Sequence, residues 1–264
     1  MDLTDNKFWD NYWKKVKVPC RIDLTFSFDR CLEKTFSRFL NTDPSVKLIE
    51  IGCAPGRWLV YFHEKYNYQV SGIDNSETGV RKTLDNLKYH NIDRKIYKAD
   101  LLKFSPPEKN DVVLSLGFIE HFEDVNKVIK KHLSLLKPDG KLILGIPNFK
   151  GINFLIQKYM YADLLAKHNI GIMSMDFFEN LPQIFHLEKI FVDYIGGFEP
   201  ALFWAPKPNI LSRVILKALG ALSLLRRNSL LDNLNSRLFS SYIIGIFKYR
   251  KGKGRHENCY LVGA

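Results

Sequence analysis

From position 46 onward the apolar residues switch repeatedly between two periods. Val46 to Ile51 is a short apolar run that reads as a buried strand, and Arg57 to Tyr66 repeats at helical spacing. Gln69 to Ile73 returns to strand, Ser76 to His90 to helix, and Lys95 to Lys98 to a short third strand. Asp111 to Leu116 (DVVLSL) is apolar enough for a strand buried on both faces. Val125, Val128, Ile129, His132, Leu133 and Leu136 then fall at helical intervals and predict a helix over 125–136. Pro138-Asp139-Gly140 turns the chain into a fifth strand, Lys141 to Ile146, and Lys189 to Ile195 and Tyr242 to Tyr249 (YIIGIFKY) supply two more. This alternation marks βαβ units, so the expected fold is α/β, with helices on both faces of a mostly parallel seven-stranded sheet.

Residues 46–150 are the expected core. Before it, Phe8 to Trp13 (FWDNYW) and a helical stretch near Phe28 to Leu40 give residues 1–45 the character of an N-terminal helical flap. After it, Pro147 to Phe185 is helical and rich in aromatics, including Phe149, Phe154, Tyr159, Tyr161, Phe177 and Phe178. Residues 151–240 are expected to cap the core within the same domain, with an apolar, basic helical insert over Asn209 to Phe239, and residues 241–264 to form a last strand and basic tail. The length of 264 residues and 46% hydrophobic content suit one large domain. Ser212, Arg213 and Lys217 interrupt the best apolar run before it could span a bilayer. Cys20, Cys31, Cys53 and Cys259 show no C-x-x-C or metal-ligand spacing, and the first residues lack the pattern of a secretory signal, so a reduced, cytoplasmic setting is expected.

Charge changes this picture in one place. Between Lys207 and Arg255 stand eleven Lys and Arg against the single acid Asp232, so this stretch carries +10 of the net +11. Within it Ile210, Leu211, Val214, Ile215, Ala218, Leu219 and Leu222 share a helical face, with Arg213, Lys217 and Arg226 elsewhere. Such a helix suits an anionic membrane surface, contacted through 209–227 and 248–255, and equally a packed helix or dimer contact beside a solvated basic tail.

The chemistry concentrates in the loop Glu50-Ile51-Gly52-Cys53-Ala54-Pro55-Gly56, which runs from the first strand into the first helix. Open α/β sheets bind ligands at this carboxyl end of their strands, and Gly52 and Gly56 let backbone approach without a Cβ in the way. The loop lacks the G-x-G-x-x-G of a dinucleotide site, and Arg57 and Trp58 stand where a phosphate loop needs Lys and Ser or Thr. S-adenosylmethionine instead needs carboxylates near its hydroxyls and amine. Asp74 ends the second strand 22 residues after Gly52, where this kind of fold places the acid that takes ribose hydroxyls, and Asn75 follows it. Asp100 and Leu101 follow the third strand and suit the adenine amino group and ring. Ser115 to Gly117 ends the fourth strand, where backbone can meet the methionine amine, and Cys53 is small enough to pack within the loop.

Taken in order, LIEIGCAPG, VSGID, YKADL, LSLGFIEHF and LLKPDGKLILGIP resemble the five motifs of the class I S-adenosylmethionine-dependent methyltransferases, over Leu48 to Pro147. The resemblance implies a Rossmann-like core, S-adenosylmethionine as cofactor, and Gly52, Asp74 and Asp100 as its contacts. With their neighbours Glu50, Cys53, Ala54, Gly56, Asn75, Leu101, Ser115 and Gly117 they make the expected cofactor site.

Methyl transfer from a sulfonium is an in-line displacement that depends mainly on positioning, and a base is needed only where the acceptor keeps its proton. His121, in Gly117-Phe118-Ile119-Glu120-His121-Phe122, is the candidate general base, because imidazole titrates near neutral pH. Similar family members with an E-H pair here include quinone and sugar methyltransferases. His121 also suits a helix cap or loop-ordering role, and Glu120 the holding of a backbone amide. The other histidines, His63, His90, His132, His168, His186 and His256, share no spacing, so no metal is expected. The fourth strand does not end in the N-P-P-Y of nucleobase methyltransferases. Although Gly52 to Trp58 resembles the loop of ribose 2′-O-methyltransferases, their catalytic Asp is missing, so nucleic acid ranks second as a partner. The expected reaction is O-methylation of a small or lipid-linked hydroxylated acceptor, such as a surface-glycan sugar or a quinone-like ring. RNA methylation or RNA binding, and N-methylation of a small amine, are the alternatives.

Overall fold

A computed structural model describes residues 2–203, 208–225, 232 and 234–250. Two helices come first, α1 (Asn6–Lys15) and α2 (Ser27–Phe39). The core then alternates as β1 (Lys47–Ile51), α3 (Arg57–Tyr66), β2 (Gln69–Asp74), α4 (Glu77–Tyr89), β3 (Ile96–Lys98), β4 (Asn110–Leu116), α5 (Val125–Ser134) and β5 (Leu136–Pro147). The cap and closing strands are α6 (Ile152–Leu165), α7 (Met175–Phe185), β6 (Leu187–Ile195), α8 (Ile210–Leu225) and β7 (Tyr242–Tyr249).

The sheet order is β3-β2-β1-β4-β5-β7-β6, with β1 to β5 parallel and β7 antiparallel to both β5 and β6. This is the doubly wound, mostly parallel sheet that the alternating pattern predicts. Successive strand residues serve opposite cores. Ile49, Ile51, Val113, Leu142 and Leu144 face the layer containing α5 and α7, while Leu48, Val112, Leu114 and Ile143 face α2 and α3.

Two boundaries differ from the sequence pattern for local reasons. Strand β5 begins at Leu136, because Leu136 pairs with Asn110 and the Pro138-Asp139-Gly140 turn becomes an irregularity inside the ladder, with Asp139 at φ +63°. The insert is helical only to Leu225 among the described residues, and 234–240 form turns rather than helix. The aromatic cap is two helices, separated by a turn at 166–174.

Asp232, the only acid in the basic stretch, ties the insert to α2. Its buried carboxylate accepts from Arg30 Nη2 at 2.8 Å and Nε at 3.0 Å, from Lys34 Nζ at 2.9 Å and from Ser27 Oγ at 3.1 Å. Burial works against the charge, but the bonds from Arg30 and Lys34 outweigh it and hold the carboxyl below its ordinary pKa. Asp232→Asn is expected to cost about 2–4 kcal/mol, since it leaves the Arg30 head half-buried beside a weaker acceptor. Urea unfolding at neutral pH measures the loss. The native contribution is complete above about pH 4, where the unfolded Asp is ionised, and disappears as pH falls through the lowered folded value, so the two proteins should converge in acid.

Candidate functional site

The carboxyl ends of β3, β2, β1, β4 and β5 lie side by side, and a cavity of about 520 Å³ runs along all five. Asp100 and Leu101 line it after β3, Asp74 and Asn75 after β2, Gly52 and Ala54 after β1, Gly117 and His121 after β4, and Pro147 and Phe149 at the end of β5. Four strand spacings give the row a reach of ~19 Å.

Gly52 and Gly117 leave β1 and β4 with φ of +69° and +71°, left-handed backbone that glycine adopts at little cost. A Cβ at position 52 would stand 2.7 Å from the Phe118 ring, so the two loops can meet only because that position is bare. Beside them the main chain fixes Asp74: Oδ1 accepts from Ser76 N at 2.8 Å and Oδ2 from Ala54 N at 3.3 Å. Burial pushes this carboxyl up to about 6, while the amides favour its charged form. Asp100 Oδ1 accepts from Leu102 N at 2.9 Å, which caps the short turn after β3, and Oδ2 lies 3.8 Å from Lys103 Nζ.

Four residues of the expected cofactor site do not line the cavity. Glu50 is buried, with burial raising its pKa well above the carboxylate range against the pull of Arg57, and its Oε2 has no partner among the described residues. Cys53 fills the space over Gly72, as expected of a packing residue. Gly56 starts α3 where it closes on Thr83 of α4, and the Ser115 hydroxyl turns away to His132 Nε2 at 3.0 Å.

The roof is α1. Asp10 accepts from Ser76 Oγ at 2.5 Å and Thr78 N at 3.1 Å at the start of α4, while Leu3 N donates to His121 O at 2.7 Å. These ties hold Phe8, Trp9, Tyr12 and Trp13 over the cavity. Trp9 stacks on Trp13 with ring centres 6.1 Å apart and meets His121 edge-on at 5.0 Å. The FWDNYW motif marks a flap in the sequence, but nothing in its spacing says which strand ends it covers.

At the β4–β5 end the fold joins residues that sequence spacing keeps apart. His121 and His168 have ring centres 4.6 Å apart, and both line the cavity. His121 Nδ1 lies 2.8 Å from Lys167 O and His168 Nδ1 2.7 Å from Leu164 O. A carbonyl only accepts, so each Nδ1 carries its proton and each Nε2 keeps a lone pair. Burial, with the neighbouring His168, pushes His121 down to about 3, and burial lowers His168 too. Glu120 is buried, pushed up to about 8, with Oε1 3.8 Å from His121 Nε2 and Oε2 unpartnered among the described residues. One ligand-type atom from each of Glu120, His121 and His168 lies within 4.8 Å of the other two, so the fold gathers three groups of metal-ligand type that sequence spacing keeps apart. His121 does not cap α5, a role taken by Asp124. Of the cap aromatics, Phe203 lines the cavity and Phe178 is in the core, while Trp204 is outside the described residues.

Residues 25–191 match the family described as "Methyltransferase domain", more than half of the chain. The chain belongs to this methyltransferase family. Among relatives of the family, the ubiquinone biosynthesis O-methyltransferase of Pelagibacter ubique is 28% identical over 130 residues, covering 47% of this chain and 49% of its own length. Phosphoethanolamine N-methyltransferase 1 of Arabidopsis thaliana is 29% identical over 113 residues, covering 42% of this chain and 23% of the relative. The chain thus spans half or less of the length of these relatives. In fold it is similar to a methyltransferase from Thiobacillus denitrificans solved with S-adenosyl-L-homocysteine, with a TM-score of 0.59, 14% identity, and coverage of 95% of this chain and 100% of that one.

The bare loops and the Asp74 carboxylate fixed by main-chain amides suit a ligand that carries hydroxyls. Asp74→Asn is expected to weaken S-adenosylmethionine binding roughly 10- to 100-fold, the value of hydrogen bonds to a charged acceptor. Isothermal titration checks it, and in the native protein the affinity should also fall below about pH 6 as Asp74 protonates.

Proposed function

We propose that the chain transfers the methyl group of S-adenosylmethionine to a hydroxyl of a small or lipid-linked acceptor, with His121 as the general base. The observation that carries this reading is the pair of lone-pair-bearing Nε2 atoms of His121 and His168 at one end of a cavity whose other end presents Asp74 and Asp100. S-adenosylmethionine, when bound, supplies an electrophilic methyl group. Gly52, Ala54, Asp74, Asn75, Asp100, Leu101 and Gly117 line the cavity and would hold it, and the α1 aromatics would exclude water above them.

A neutral imidazole accepts a hydrogen bond from a hydroxyl and so orients its oxygen. The hydroxyl becomes a strong acid as its oxygen forms a new bond, so even the weakly basic His121 can take its proton at that moment. A protonated amine acceptor would need an ionised carboxylate here, and the nearby carboxyl, Glu120, is pushed up to about 8 by burial. This favours oxygen over nitrogen as the acceptor atom. Phe149, Leu164 and Phe203 give the acceptor end apolar walls that suit a ring or an acyl-bearing molecule.

His121→Ala is expected to lower kcat by at least about 100-fold while leaving S-adenosylmethionine affinity unchanged. Turnover equal to the native rate would remove the assignment. Turnover that requires an added divalent cation would give Glu120, His121 and His168 to a metal instead. At saturating cofactor the native rate should stay flat from pH 7 down to about pH 5, because His121 is unprotonated and Glu120 protonated throughout that range.

A further inference from the structure

We infer that α8 docks on an anionic lipid bilayer and brings the acceptor end of the cavity to its surface. The helix divides its apolar residues between two directions. Ser212 is buried and Ile215, Leu216 and Leu219 are half-buried, on the side that packs against the turn Pro200–Leu202. Ile210, Leu211 and Val214 are 83%, 53% and 57% exposed, and Ala218 and Ala221 continue the same outward stripe. Arg213 and Lys217 are exposed along its flank.

The charge identifies the occupant. No acid stands between Glu199 and Asp232, and no described residue forms an ion pair with Arg213 or Lys217. An apolar stripe edged by unpaired cations matches a negatively charged headgroup layer over an acyl layer. Nucleic acid would use the cations and leave Ile210, Leu211 and Val214 in water. None of the described helices is long and apolar enough to cross a membrane, so a 16-residue helix of this composition lies along the surface.

Position gives the docking a consequence. The turn on which α8 packs continues into Phe203, and Ala201, Leu202 and Phe203 line the cavity. One short segment therefore separates the docking face from the acceptor wall. Lys248 and Arg250 do not share this face. Because β7 runs antiparallel, Tyr242 pairs with Pro147 at the cavity end of the sheet and Lys248 with Lys141 at the opposite end. There Lys248 and Arg250 pair with Asp139 and Glu188, while residues 251–255 lie outside the described residues. Of the joint surface expected from 209–227 and 248–255, Lys248 and Arg250 therefore stand apart from α8, and 226–227 lie outside the described residues.

The test is co-sedimentation of the full chain, without cofactor or acceptor, with vesicles of phosphatidylcholine alone or mixed equally with phosphatidylglycerol, at low salt. Binding to the mixed vesicles only is expected. Replacing both cations, Arg213→Gln with Lys217→Gln, should weaken it about 25-fold, about fivefold per cation. Leu211→Asp should abolish it, with circular dichroism unchanged because position 211 is exposed. Absence of binding to the mixed vesicles overturns the proposal, as does binding that these variants leave intact. If Leu211→Asp instead separates a dimer and vesicle binding persists, the face belongs to a second copy and the proposal fails. The His121→Ala protein should bind vesicles like the native one, so failure here is separable from failure of the catalytic reading.

Discussion

The site rests on a steric constraint at the junction of two strands. β1 and β4 are neighbours in the sheet although β2 and β3 intervene in the chain, so the connections leaving them must diverge, and the crevice between is where ligands bind in such sheets. Here the crevice takes its shape from the loops themselves. Gly52 turns with a positive φ directly beneath Phe118, and Gly117 turns with a positive φ just before it. Any side chain at position 52 would push the β4 loop outward, and with it His121, which stands three residues beyond Phe118 on the same short turn. The geometry of the cofactor end and that of the acceptor end are therefore set by one contact.

The electrostatics follow from closing that crevice. Burial moves six groups around it toward their neutral forms: Glu50, Asp74 and Glu120 upward, His121, His132 and His168 downward. Such a region is costly to maintain and is held by main-chain hydrogen bonds, from Ala54 and Ser76 to Asp74 and from the two imidazoles to Lys167 and Leu164. A cationic ligand entering it would draw the acids back to their charged form, while the imidazoles would stay unprotonated. Opposite ends of one cavity thus favour opposite tasks, holding positive charge and receiving a proton.

Much of this was legible in the chain. The core strands and helices show their period directly, because each strand is buried on one or both faces and each helix has one apolar side. Asp74, Asp100 and Gly52 could be placed because strand ends occur at fixed steps in a βαβ series. The direction of the Ser115 hydroxyl could not: the contact expected there is through backbone, and the turn of the side chain to α5 depends on His132, 17 residues later. His168 was invisible as a partner of His121 for the same kind of reason, since α6 carries it back over the β4 loop and no local pattern encodes that return. The roof is intermediate. FWDNYW announces an aromatic surface, but its attachment through Asp10 to Ser76 and Thr78 is a tertiary contact. The separation of Lys248 and Arg250 from α8 likewise comes from the antiparallel direction of β7, which charge counting along the chain does not contain.

The most direct measurement of the central claim is a crystal structure of the chain with S-adenosyl-L-homocysteine. The account predicts the ligand along the ends of β1 to β4, its ribose hydroxyls on the Asp74 carboxylate, and its sulfur facing the space before His121 and His168. A ligand seated elsewhere, or one that reaches Asp74 with its sulfur turned away from the two histidines, would contradict it.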